Sequence, residues 1–160
     1  MTNQDDSDLV HRVLSHLAQS HGRLVTVESC TGGMICAALT AISGASEVVE
    51  GGFVTYSNAL KASAVGVPEP LIEAFGAVSI EVAEAMAQGG LMRATDATIA
   101  VSVTGIAGPG GGSEEKPVGT VCFGIAANGR ISSERLHFTG DRDAIRLATL
   151  RHALEMVLAT

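Results

Sequence analysis

Apolar residues in the first twenty positions fall on one stripe. Leu9, Val10, Val13, Leu14, Leu17 and Ala18 recur at three-and-four spacing behind Asp8, a good helix cap, and Gly22 ends the run. The pattern then changes. Leu24-Val25-Thr26-Val27 is a short β-rich run, followed by Glu28-Ser29-Cys30-Thr31-Gly32-Gly33 and a small-residue helix over 34–41. A loop at Ser43-Gly44-Ala45-Ser46 leads to a second strand, Gly52-Phe53-Val54-Thr55-Tyr56. Asn58 starts the next helix, which carries Leu60, Lys61 and Val65 and is broken by Gly66 and Pro68. Residues 70–75 add a helical turn or two. Ser79 caps a helix bearing Val82, Ala83, Ala85, Met86 and Ala87, expected to end near Gly89-Gly90.

The run 97–103 is the most apolar and reads as the central strand. Residues 104–119 are rich in Gly and Pro, and a loop of that length inside a compact domain is usually functional. A strand over 118–127 meets Asn128-Gly129, a strong type I′ hairpin signal, with its partner over 131–138. Asp141 caps a last helix with Ala144, Ile145, Ala148, Leu154, Val157 and Leu158 as its apolar positions. The order α-β-α-β-α-α-β-β-β-α predicts a layered α/β domain, and the hairpin makes the sheet mixed. No linker or internal repeat interrupts it, so residues 1–160 are expected to form a single domain.

Composition narrows the function. The 160 residues are 46% hydrophobic and 17% charged, enough for a full core without a disulfide or metal staple. A net charge of −7 argues against broad binding to a phosphate backbone. With 3% aromatics, no Trp and one Tyr, there is no base-stacking platform, so no nucleic-acid partner is expected. Cys30, Cys36 and Cys122 form no CxxC pair and have no His at zinc-site spacing, which suits reduced thiols. His11, His16, His21, His137 and His152 are scattered and read as surface or capping residues. The start, Met1-Thr2-Asn3-Gln4-Asp5-Asp6, lacks the basic and apolar regions of a signal peptide. No apolar stretch approaches the roughly 20 residues that cross a bilayer, so a cytoplasmic protein without membrane contact is expected.

Three segments do not read as packing. Glu28 to Gly33 leaves a strand and enters a helix, where free backbone N–H groups favour negative charge. Ser29 there could be a nucleophile with neighbouring N–H groups holding an oxyanion, or Ser29 or Thr31 could simply cap the helix. Lys61 is one of only two lysines and lies among apolar residues just after Tyr56. Desolvated, it would lose charge and could act as a base; solvated, its stem would merely cover apolar surface. The run from Thr104 through Gly105, Ala107 and Gly108 to Gly112 could cup an anion with consecutive N–H groups, or be a flexible surface loop. Neither a dinucleotide fingerprint nor a P-loop fits it, because no helix and no Gly-Lys-Ser/Thr follows. Arg142 and Arg146, four apart on the last helix, could clamp a phosphate or form a solvated face with Asp143.

Together these segments resemble one family. Glu28-Ser29-Cys30-Thr31-Gly32-Gly33, Tyr56-Ser57-Asn58 with Lys61, Gly76-Ala77-Val78-Ser79, and Thr104-Gly105-Ile106-Ala107-Gly108-Pro109-Gly110-Gly111 are similar to the CinA C-terminal domain. Glu114-Glu115-Lys116-Pro117-Val118-Gly119-Thr120-Val121 and Gly140-Asp141-Arg142 continue the likeness, which covers nearly the whole chain. Val27 departs from the family's usual small residue before the Glu-Ser-Cys run. The larger molybdopterin-binding-like domain often fused ahead is not seen, so the chain looks like the stand-alone form.

The resemblance implies a three-layer α/β/α sandwich with a mixed, mostly parallel sheet. It also implies nicotinamide-nucleotide amidase activity in pyridine nucleotide recycling, with the family's Ser and Lys at Ser29 and Lys61. On this reading Ser29 attacks the carboxamide, Lys61 takes its proton and Tyr56 relays or orients it. The N–H groups around Thr31, Gly32 and Gly33 would hold the oxyanion. Thr104 could bind the carboxamide. Ala107 to Gly112, Arg142 and Arg146 are the expected phosphate ligands, possible also across a subunit interface. No metal or cofactor is called for, a small-molecule nucleotide is the expected partner, and self-association is expected. Cys30 and Ser57 are weaker nucleophile candidates. A different amide or ester substrate, or a non-catalytic nucleotide-binding domain with a role in competence, is the alternative.

Overall fold

The computed structural model describes residues 4–160. Its elements are α1 (Gln4–Gln19), β1 (Leu24–Glu28), α2 (Met34–Thr40), β2 (Val49–Val54), α3 (Asn58–Val65) and α4 (Glu69–Phe75). They continue as α5 (Ile80–Arg93), β3 (Ile99–Gly105), β4 (Thr120–Ala127), β5 (Arg130–His137) and α6 (Arg142–Leu158). The sheet order is β2-β1-β3-β4-β5. β1 pairs in parallel with β2 and β3, and β4 runs antiparallel to both β3 and β5. Four of the five strands therefore point the same way.

Side-chain alternation splits the core into two layers. Leu24, Val101, Val103, Phe123 and Ile125 pack with Val13 and Leu17 of α1, Ile35 and Leu39 of α2, and Leu150 and Leu154 of α6. Val25 and Val27, with Ala100 and Ala126, face α3, α4 and α5 on the other side. Helices cover both faces, as a parallel sheet requires. The middle strand of the order is β3, as expected for residues 97–103, and all five residues of the neighbouring β1 are buried. Among the described residues, no helix is long and apolar enough to cross a membrane.

Several boundaries differ from the sequence reading. α1 starts at Gln4, so Asp8 lies inside the helix, where it accepts a 2.9 Å bond from Gln4 Nε2. Asp5 and Asp6 in its first turn suit the positive helix end, and buried Asp6 also pairs with Arg151 of α6. Residues 69–75 form a full helix, α4, which makes three helices between β2 and β3 rather than two. β2 begins three residues before the expected Gly52, because its pairing with β1 starts at Leu24↔Val49. α5 runs through Gly89-Gly90 to Arg93. A side chain at Gly89 would strike the carbonyl of Val65, and one at Gly90 would strike Val27, so these glycines permit close packing and do not end the helix. The hairpin turn is as expected, with positive φ at Asn128 (53°) and Gly129 (71°).

Candidate active site

The carboxyl ends of β1 and β3 lie side by side, where ligands of open α/β sheets collect. Ser29 N donates to Val103 O at 3.0 Å, extending the β1–β3 pairing by one residue. That bond fixes Ser29 at the sheet's edge. The neighbouring Glu28 belongs to the α2 side, and Ser29 meets Lys61 of α3 on the other.

Lys61 is 1% exposed. Ser57 Oγ caps α3 by accepting from Leu60 N at 3.1 Å, and one turn later Lys61 points inward. Its Nζ donates to the carbonyls of Thr55 at 2.9 Å and Tyr56 at 3.4 Å, and lies 3.0 Å from Ser29 Oγ. Among the described residues no carboxylate forms an ion pair with it. Burial pushes its pKa below the ordinary 10.5, opposed by a weaker charge interaction with Cys30. Burial also pushes the Cys30 thiol up to about 12, with further help from the Glu28 carboxylate. Cys30 therefore stays a protonated thiol at neutral pH, a poor nucleophile. Ser57 is committed to its cap.

A cavity of about 290 Å³ opens over the pair. Ser29, Lys61, Tyr56, Thr104, Gly105, Ala107 and Arg142 line it, as do Cys30, Asn58, Ala77 and Val78, which the sequence reading did not assign to substrate. Thr104 Oγ1 donates to Ala77 O at 2.8 Å, so its oxygen remains available as an acceptor. Among the described residues, no three His, Cys, Asp or Glu side chains group together to hold a metal.

Other expected residues have different work. Thr31, Gly32, Gly33, Gly108 and Arg146 do not line the cavity. Thr31 Oγ1 donates to Glu28 at 2.6 Å, Gly33 N donates to Glu28 at 3.0 Å, and Gly32 N donates to Ser29 O at 3.0 Å. The Gly32 and Gly33 amides are therefore already engaged, by a backbone carbonyl and a buried carboxylate. Arg146 Nε and Nη2 donate to the carbonyls of Cys30 (3.2 Å) and Thr31 (2.9 Å), which clamps the turn from outside. Arg142 alone of the arginine pair reaches the cavity, held by Gly108 O at 2.7 Å. The Tyr56 phenol is not at the Ser–Lys pair. The residue is 60% exposed, and its Oη accepts from Arg142 Nη2 at 3.3 Å.

Fold and site together define a class: a three-layer α/β/α domain with a buried serine–lysine pair at its strand ends. The family model described as the CinA C-terminal domain matches residues 6–160, and the chain belongs to that family. It is 48% identical over 150 residues to the nicotinamide-nucleotide amidohydrolase PncC of Pseudomonas putida, covering 94% of this chain and 93% of the relative. It is also 48% identical over 162 residues to a putative competence-damage inducible protein of Symbiobacterium thermophilum, covering 96% of this chain but only 38% of that longer protein. The crystal structure of the competence/damage inducible protein CihA from Agrobacterium tumefaciens superposes with a TM-score of 0.96 at 46% identity, covering 99% of this chain and 97% of that one.

Proposed function

We propose that the protein hydrolyses the carboxamide of nicotinamide mononucleotide, releasing nicotinate mononucleotide and ammonia. The likeness to the Pseudomonas putida amidohydrolase supports the substrate. The observation that carries the chemistry is the 3.0 Å approach of Lys61 Nζ to Ser29 Oγ in a cavity without a carboxylate partner for the amine. A neutral amine that keeps its N–H bonds on the Thr55 and Tyr56 carbonyls has its lone pair left to accept from the Ser29 hydroxyl.

Ser29 Oγ attacks the carboxamide carbon as its proton passes to Lys61. The resulting ammonium donates that proton to the departing nitrogen, and ammonia leaves an acyl-serine. Water attacks the ester, giving its proton to Lys61, which returns it to Ser29. With Gly32 and Gly33 engaged elsewhere, the amide of Cys30 beside the nucleophile is our candidate oxyanion donor. Such a donor contributes about 3 kcal/mol to transition-state stability. Arg142 at the mouth, assisted by the Ala107 backbone, receives the phosphate, and Tyr56 positions Arg142. Exposed Val54, Tyr56 and Leu60 on adjoining elements support self-association, which sedimentation velocity measures.

The test follows ammonia release from nicotinamide mononucleotide by purified protein. Ser29→Ala and Lys61→Ala are expected to abolish it. Undiminished release from Ser29→Ala removes the nucleophile, and tight nucleotide binding without turnover in the wild type favours a binding domain.

A further inference from the structure

The carboxylate of Glu28 is one residue from the nucleophile, 1% exposed, and surrounded by donors. Oε1 accepts from Thr26 Oγ1 (3.1 Å) and Cys36 N (2.8 Å). Oε2 accepts from Thr31 Oγ1 (2.6 Å), Gly33 N (3.0 Å) and Ile35 N (3.1 Å). Three of these donors are backbone amides at the start of α2, those of the N-cap Gly33 and of Ile35 and Cys36, of the kind a helix normally offers to a capping side chain or to solvent. Here the N-cap is Gly33, at φ 97°, with no side chain to supply a cap. Glu28 reaches forward from the strand and caps the helix instead.

Two consequences follow from this geometry. The carboxylate ties residue 28 to residues 31–36, so the turn that carries Ser29 is closed by charge-assisted hydrogen bonds and cannot drift from Lys61. The negative charge is also spent on α2. Strand alternation turns Glu28 away from the cavity, and no ion pair joins it to Lys61. A carboxylate free to meet that amine would hold it as an ammonium and remove the base.

We infer that Glu28 is a positioning residue for the Ser29–Lys61 pair, acting through Thr31 and the first turn of α2. This rests on the proposed nucleophile, and the experiment separates the two. Wild type, Glu28→Gln, Thr31→Val and Thr31→Ser are treated with a fluorophosphonate, and the rate of Ser29 labelling is read by mass spectrometry, with no nucleotide present. Steady-state kinetics with nicotinamide mononucleotide run alongside. Glu28→Gln, which presents an amide N–H to donors, is expected to slow labelling about tenfold or more and to lower kcat in parallel, with KM little changed. Thr31→Val is expected to slow labelling about threefold, and Thr31→Ser to restore it. A folded Glu28→Gln that labels at the wild-type rate overturns the inference and leaves the nucleophile standing. If Glu28→Gln does not fold, wild-type labelling of Thr31→Val overturns it equally. A wild type that is not labelled at Ser29 removes the nucleophile and the positioning role together.

Discussion

Two buried ionisable side chains flank the end of β1, and the sheet separates them. On the α2 side, Glu28 has five donors, three of them backbone amides at the helix start. On the α3 side, Lys61 has two carbonyls and a hydroxyl, all uncharged. Both residues are 1% exposed, so depth does not distinguish them. The surrounding groups do. Hydrogen-bond donors stabilise the anion and suit Glu28 to a structural tie, whereas burial without an opposite charge destabilises the cation and suits Lys61 to the proposed role of base.

The largest expected break in this comparison is Lys61→Met. Removing a positioned general base lowers kcat by about 10³-fold. Stability should move the other way. Because burial lowers the Lys61 pKa, the unfolded chain binds the proton more tightly than the native protein does. The Lys61 contribution to stability therefore rises with pH between the lowered native value and the ordinary 10.5, and is least favourable at low pH. Urea unfolding at roughly pH 6 and roughly pH 9 should find the Met variant at least as stable as wild type, with its advantage larger at the lower pH.

Glu28→Ala should have the opposite sign. It leaves the α2 amides and two threonine hydroxyls without their acceptor, and a loss of about 3 kcal/mol is expected in urea unfolding. A smaller contrast lies within the last helix. Arg142→Ala should raise KM for the nucleotide about tenfold with little change in kcat, since that side chain faces the cavity. Arg146→Ala should leave KM nearly unchanged and lower stability, because among the described residues its guanidinium binds the turn and Asp143. The smallest effect is expected for Cys30→Ala, with turnover within about threefold of wild type, because a buried protonated thiol contributes packing and no charge.

Much of the layering was legible because it follows from local patterns. The β-rich run at residues 24–27, the apolar run at 97–103, the Ser79 and Asp141 caps and the Asn128-Gly129 turn all correspond to observed elements. Gly89 and Gly90 misled because a glycine required by a neighbouring helix and strand has the same sequence signature as one that ends a helix. In the site, the isolated lysine in an apolar stretch was a sound signal for burial. The glycine amides were not separable from an oxyanion site, because only the fold reveals that the Gly33 amide goes to Glu28 and the Gly32 amide to Ser29 O. Nor does an i,i+4 spacing say that Arg142 and Arg146 diverge, or that Tyr56 directs its phenol to Arg142 and its carbonyl to Lys61. The one available hint to Glu28 was an acid ending an otherwise uncharged, fully buried strand.

The proposed mechanism requires an uncharged amine at Lys61, and the protein is convenient for testing this because Lys116 is its only other lysine. With 13C at the lysine ε-carbon, Lys116→Arg leaves a single resonance to follow as pH is raised. This resonance is expected to titrate clearly below 10.5, and Ser29→Ala is expected not to abolish the depression, since burial is its main cause. A midpoint at or above 10.5 would mean that Lys61 is held as an ammonium, and the serine would have no base beside it.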